Sequence, residues 1–132
     1  MLDAFIPIVP YPKRTGTFVR RTGKFFANKK TKEFEKQVST YLYNNYPEFE
    51  LIINKPIFAD ILFCMPRPKT VSRNAHTVKP DRSNLLKSFE DAMEGVIYKG
   101  DQQIIGGSTM KVYADSVESV GIYVKIYIAG SE

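Results

Sequence analysis

The sequence predicts an α/β domain of the α+β kind, with a mixed β-sheet and two main helices, on three observations. Val120, Ile122, Val124, Ile126 and Ile128 alternate with Gly121, Tyr123, Lys125 and Tyr127, the two-residue period of a strand with one buried face. Ile57 to Met65 is a second strand-like run, apolar on both faces except at Asp60. Two further stretches, residues 31–46 and 83–96, repeat apolar residues at the three- and four-residue spacing of a helix. The chain has 132 residues, 43% of them hydrophobic and 13% aromatic, which fits one folded domain over 1–132 with a modest core.

In chain order, residues 4–9 read as a short strand that Pro7 confines to an edge or to a strand's start. Phe18 to Phe26 reads as a hairpin with its tip at Thr22-Gly23, presenting Arg20, Arg21 and Lys24 among aromatic residues. It suits either a phosphate-gripping arm or a plain surface hairpin. Thr31 to Tyr46 is a helix on Phe34, Val38, Tyr41 and Leu42, with Thr31 as its N-cap and Asn44-Asn45-Tyr46-Pro47 as its end.

Ile57 to Met65 is expected to be central and covered on both faces, so Asp60 is at an edge, paired or functional. Residues 66–78 form a basic, proline-punctuated loop, expected to be mobile without a ligand. His76, the one histidine, is expected at its surface. Ser83 to Val96 carries a stripe of Leu85, Phe89, Ala92, Met93 and Val96, flanked by a polar strip of Asn84, Lys87 and Asp91. Lys99-Gly100-Asp101 is a turn that presents Asp101, and Ala114-Asp115-Ser116 is read as the turn of a hairpin joining residues 109–113 to 117–128.

The single cysteine, Cys64, excludes an intrachain disulfide and a Cys-rich metal site, and its apolar setting suits a reducing cytoplasm. The short apolar N-terminus carries Asp3 and lacks the basic start of a secretory signal, and no stretch is long enough to span a bilayer. The net charge of +5 is unevenly placed: residues 1–36 hold nine Lys or Arg against three acids, and residues 67–87 hold six against Asp81 alone. Two basic stretches around an isolated acid suit a polyanion brought to a carboxylate, although a solvated basic surface has the same composition.

That acid opens the stretch richest in polar chemistry, residues 79–104. Pro80 restricts the backbone before Asp81. An acid before a helix is commonly an N-cap, but Ser83 lies nearer the first periodic residue and is the better placed cap. Helix N-terminal N–H groups attract phosphate, and a carboxylate beside bound phosphate needs a cation between them. Mg²⁺ meets that need through one or two carboxylates plus phosphate oxygens, with Mn²⁺ as a substitute. Asp101 supplies a second carboxylate if the chain folds back, and Lys87, one turn into the helix, can stabilise charge building on phosphorus. The pattern points to metal-assisted phosphodiester hydrolysis.

The stretch resembles the RusA family of Holliday junction resolvases, whose core reads roughly K-P-D-x-D-N-L-x-K, then an Asp within the helix and a Gly after it, then Y-x-D-D-x-Q-[VI]. Lys79-Pro80-Asp81, Asn84-Leu85, Lys87, Asp91, Gly95, Tyr98, Asp101, Gln103 and Ile104 stand in matching places, and Lys111-Val112-Tyr113 extends the likeness. The resemblance implies an endonuclease of four-way or branched DNA, acting as a homodimer in a bacterium or a phage-infected host. By position it implies that Asp81 and Asp101 are metal-binding catalytic aspartates, Lys87 the catalytic lysine, Asn84 a supporting residue and Asp91 an in-helix acid. Arg14, Arg20, Arg21, Lys24, Lys29, Lys30, Arg67, Lys69, Arg73, His76, Lys79 and Arg82 are the candidates for DNA contact, and Phe18, Phe25 and Phe26 for a wedge at the branch point or for the core.

Two positions depart from the family pattern. Gly100 stands where the first Asp of the second pair often lies, and Ser83 stands where the D-x-D pair has its second aspartate. A serine hydroxyl can ligate Mg²⁺ or hold its water, but the site loses one negative charge. Either Asp60 or Asp91 compensates, or activity is weak, or the protein is a non-catalytic binder of branched DNA on the same fold.

Overall fold

The computed structural model describes residues 1–26 and 28–130. Five strands form one mixed sheet: β1 (Leu2–Ile6), β7 (Gly121–Ile128) and β4 (Ile57–Met65) in that order, with β5 (Ile104–Gly106) and β6 (Thr109–Tyr113) both pairing with β4. A separate two-stranded hairpin, β2 (Thr17–Val19) and β3 (Lys24–Phe26), precedes helix α1 (Lys29–Asn45), and helix α2 (Arg82–Met93) follows the basic loop.

Strand β4 is central, as its apolar composition predicts. It runs antiparallel to β7 from Ile57↔Ile128 to Cys64↔Gly121 and parallel to β6 from Ile61↔Thr109 to Met65↔Tyr113. Its face of Ile57, Ala59, Ile61, Phe63 and Met65 joins Phe34, Val38 and Leu42 of α1 and Leu85, Phe89, Ala92 and Met93 of α2 in one core, with Phe63 edge-on to Phe89 at 6.0 Å between ring centres. The opposite face is only partly covered: Cys64 is buried, Phe58, Asp60 and Leu62 are half-buried and Tyr123 is exposed. The expectation of cover on both sides is therefore corrected, because both helices contribute their apolar stripes to the same face.

Three other expectations change. Strand β1 ends at Ile6, where Pro7 interrupts the ladder with β7. Helix α1 is capped by Asn28, whose Oδ1 accepts from the Thr31 N–H at 3.1 Å. Thr31 is buried inside the helix instead, where its hydroxyl donates to the Pro12 carbonyl and accepts from the Arg14 N–H. Strands β6 and β7 are no hairpin: β4 lies between them, and residues 114–120 carry the chain past the end of β4.

Gly95 takes φ +87° just past α2, the left-handed conformation that ends a helix. Gly107 takes φ +129° between β5 and β6, where a Cβ would overlap the Ala59 carbonyl.

Candidate active site

The loop before α2 is held from within. The Arg67 guanidinium donates to the carbonyls of Ala114, Val71 and Arg73 and to Asn74 Oδ1, at 2.8–3.2 Å. His76 is buried rather than at the surface, its ring 4.7 Å from that of Tyr113, and residues 74–76 bond to β6 at Lys111 and Tyr113. The expectation of a ligand-dependent loop misses these ties, which depend on residues far apart in the chain. Lys111 completes them, donating from Nζ to the carbonyls of Val78 and Pro80, both at 2.8 Å. Burial lowers its pKa, with Asp81 pushing it the other way. Lys111 thus fixes the approach to Asp81, a role signalled in the sequence only by its place after the 79–104 stretch.

Asp81, not Ser83, occupies the N-cap position of α2. Its backbone carbonyl accepts from the N–H groups of Asn84 and Leu85, while its carboxylate caps nothing and stays exposed. Oδ1 instead accepts from Lys79 Nζ at 2.8 Å, and this hydrogen bond, then the charge behind it, holds the carboxyl below the usual range. Ser83 and Asn84 lie exposed in the first turn.

Lys87 projects from the next turn toward two carboxylates, Asp91 Oδ1 at 3.4 Å and Asp101 Oδ2 at 3.6 Å. The charge of Asp91 is the main cause that raises its pKa; partial desolvation opposes this, and Asp101 adds to it. Asp101 begins a short 3₁₀ turn over Asp101–Gln103. The buried Gln103 fixes that turn: its side chain accepts from the Gly100 N–H at 2.9 Å and donates to the carbonyls of Ile52 and Lys55. Tyr98 ties the approach to α2 by donating its hydroxyl to the Glu90 carbonyl at 2.6 Å.

The fold therefore brings Lys87 and Asp101 together and sets Asp81 at the head of the same helix, six residues before Lys87. The two acids weighed as substitutes for a carboxylate at Ser83 are both engaged. Asp60 Oδ1 accepts from the Ser108 N–H at 2.9 Å and hydroxyl at 3.0 Å, which makes it the paired carboxylate of the three readings. Asp91 is bracketed by Lys87 and Lys13. Lys13 and its second partner, Glu35, carry no periodic or motif signal in the sequence.

Asp81, Asp101 and Ser83 offer only oxygen donors, the kind Mg²⁺ takes. Among the described residues no group of three or more His, Cys, Asp or Glu side chains is gathered to hold a metal by itself. Mg²⁺ does not require one, since water and substrate oxygens complete its shell.

Of the basic candidates, Arg14, Arg20, Arg21, Lys24, Lys29, Lys30, Lys69, Arg73, Lys79 and Arg82 are exposed, whereas Arg67 and His76 are taken up inside the loop. Phe18 and Phe25 face each other across the β2–β3 hairpin and are 60% and 63% exposed, which removes them from the core. The side chain of Phe26 lies outside the described residues.

Comparison with known proteins places the chain in the class of endodeoxyribonucleases. Residues 7–127, nearly the whole chain, match the family described as endodeoxyribonuclease RusA, and the chain belongs to that family, which implies a Holliday-junction-resolving endonuclease. It is also 31% identical over 98 residues to the uncharacterized protein YqaN of Bacillus subtilis (strain 168), covering 65% of this chain and 68% of that relative. No helix among the described residues is long and apolar enough to cross a membrane.

Proposed function

We propose that this protein is a divalent-metal-dependent endonuclease that resolves four-way and other branched DNA by paired, symmetric nicks. The observation that carries the proposal is the reach of Lys87 from α2 to the Asp101 carboxylate on a separate turn, with Asp81 at the head of the same helix. Asp81 and Asp101 would hold Mg²⁺ or Mn²⁺, with Ser83 as a neutral oxygen donor and Asn84 in support. The cation, when bound, supplies Lewis-acid polarisation of the phosphate and a more acidic water. Lys87 contributes the fixed positive charge that stabilises the oxygens of phosphorus as a water oxygen adds and the sugar oxygen leaves. Asp81, like any exposed aspartate, is ionised near neutral pH, and Lys79 lowers its pKa further, so no proton has to leave it before a cation binds.

The exposed cations of the hairpin and of residues 69–82 form the surface for the phosphate backbone, with Phe18 and Phe25 placed to stack on bases unpaired at the branch. A four-way junction has near two-fold symmetry and needs two cuts, so the working unit is a homodimer with one site per protomer. The substrate places its work with the DNA, in the cytoplasm of a bacterium or a phage-infected host.

A second reading rests on Ser83: a RusA-family protein that binds junctions without cutting them. Wild type and Ser83→Asp, assayed for nicking of a synthetic four-way junction over a Mg²⁺ series, separate the two. Cleavage by wild type at millimolar Mg²⁺ supports the nuclease. Tight binding with cleavage only by Ser83→Asp supports the binder.

A further inference from the structure

We infer that Lys13 and Glu35, acting through Asp91, are positioning residues for Lys87. The inference rests on the nuclease reading above, in which Lys87 is the group at the reacting phosphate. Five side chains from four separate segments form one run of alternating charge: Glu35 of α1, Lys13 of the segment before the hairpin, Asp91 and Lys87 of α2, and Asp101 of the following turn. Lys13 Nζ lies 2.8 Å from Glu35 Oε2 and 3.0 Å from Asp91 Oδ2. The other oxygen of Asp91, Oδ1, lies 3.4 Å from Lys87 Nζ, which also reaches Asp101 Oδ2 at 3.6 Å.

The two acids behind Lys87 are the most buried members of the run: the Glu35 and Asp91 side chains are 13% and 20% exposed, against 33% for Lys13, 32% for Asp101 and 54% for Lys87. The pairing of Lys13 with Glu35 and Asp91 is therefore packed and weakly screened, while Lys87 itself is open. A long lysine side chain on an open helix face samples many rotamers, and ordering it costs up to about 2 kcal/mol. Two carboxylates restrict Lys87. Asp101 is also the one proposed to hold a cation, so Asp91 is the partner that Lys87 keeps throughout.

Asp91 can serve this way only if its own carboxylate is fixed, and Lys13 fixes it. Lys13 is itself anchored twice, by Glu35 at its ammonium and at its backbone, where its N–H donates to the Asn84 carbonyl at 2.8 Å in the first turn of α2. Ser88, one residue past Lys87, ties the same segment by donating its hydroxyl to the Tyr11 carbonyl. Being half-buried and doubly paired, Lys13 is not one of the cations that grip DNA, although basic residues surround it in sequence. Its loss should leave junction affinity alone and lower the rate of the chemical step.

The test compares wild type with Lys13→Met, Lys13→Arg, Glu35→Gln and Asp91→Asn, using two readouts. The first is single-turnover cleavage of a four-way junction in Mg²⁺, with junction affinity measured separately. Lys13→Met and Asp91→Asn should lower the maximal rate about 10- to 100-fold, the range found for outer partners of catalytic groups. Glu35→Gln should lower it less, Lys13→Arg should recover most of it, and affinity should change by less than about twofold in all four. The second readout is hydrogen exchange at the Lys87 ammonium in metal-free, ¹⁵N-lysine-labelled protein, assigned by its absence in Lys87→Arg. Exchange should be slow in wild type and fast in Asp91→Asn and Lys13→Met. An Asp91→Asn protein that cuts at the wild-type rate, or whose Lys87 ammonium exchanges as in wild type, overturns the inference. So does a loss of rate matched by an equal loss of folded protein. A wild type with a slow-exchanging Lys87 that cuts no junction overturns the nuclease reading instead.

Discussion

His76 packs its imidazole against Tyr113, with Nδ1 buried and without a hydrogen-bond partner among the described residues. Burial lowers its pKa below the ordinary 6.5, and the charges of Lys111 and Arg73 add to the effect. The unfolded chain therefore takes up the proton first as pH falls. Stability is full above the unfolded value and declines from about pH 6.5 down to the folded pKa. A thermal midpoint measured from about pH 7 to 5 should drop more for wild type than for His76→Phe, which has no such proton to bind. Equal slopes would contradict the burial of a neutral ring. Asp60 makes a different prediction. Its carboxylate orders the Gly107-Ser108 link rather than a metal, so Asp60→Ala should lower stability by about 1 kcal/mol in urea unfolding. The cation dependence of cleavage should not move.

The end of α2 sets the direction in which the chain leaves toward Asp101. Gly95 makes that exit in a left-handed conformation with open space where a Cβ would stand, so Gly95→Ala should cost about 1 kcal/mol, all of it backbone. Gly107→Ala adds overlap with the Ala59 carbonyl and should cost more; chemical denaturation of both variants checks the order. Elements with a local pattern were legible from sequence: β4, β7 and both helices fall within a few residues of their apolar periodicities. Partner choice was not. The Ala114-Asp115-Ser116 turn looked like a hairpin because neighbouring strands usually pair, yet β4 takes both strands, one on each of its edges. The cap of α1 was missed for a related reason. Asn28 and Thr31 are both competent caps, and only the tertiary bond of Thr31 to Pro12 separates them. In the candidate site, Asp81, Lys87 and Asp101 stood out by motif, whereas Lys13 meets Asp91 and Glu35 only because α1 and the segment before the hairpin both pack on α2.

At the scale of the whole molecule, charge is sorted by position: the hairpin arm and residues 69–82 carry exposed cations, Lys87 lies where α2 meets the turn at Asp101, and Asp81 stands at the head of α2. Such a surface releases counterions when it binds DNA, so junction affinity should fall steeply with salt. Arg20→Ala combined with Arg21→Ala should flatten the log–log salt slope by roughly 2, leaving cleavage of bound junction near the wild-type rate. In the proposed mechanism Asp81, Lys87 and Asp101 form one phosphodiester-cleaving site. Single-turnover cleavage of a pre-bound four-way junction in Mg²⁺ tests it most directly, with wild type beside Asp81→Asn, Asp101→Asn and Lys87→Met. Wild type should make symmetric nicks and the three variants none above background, each of them still binding the junction. Cleavage that survives in any of them would show that the phosphate is broken elsewhere on the protein.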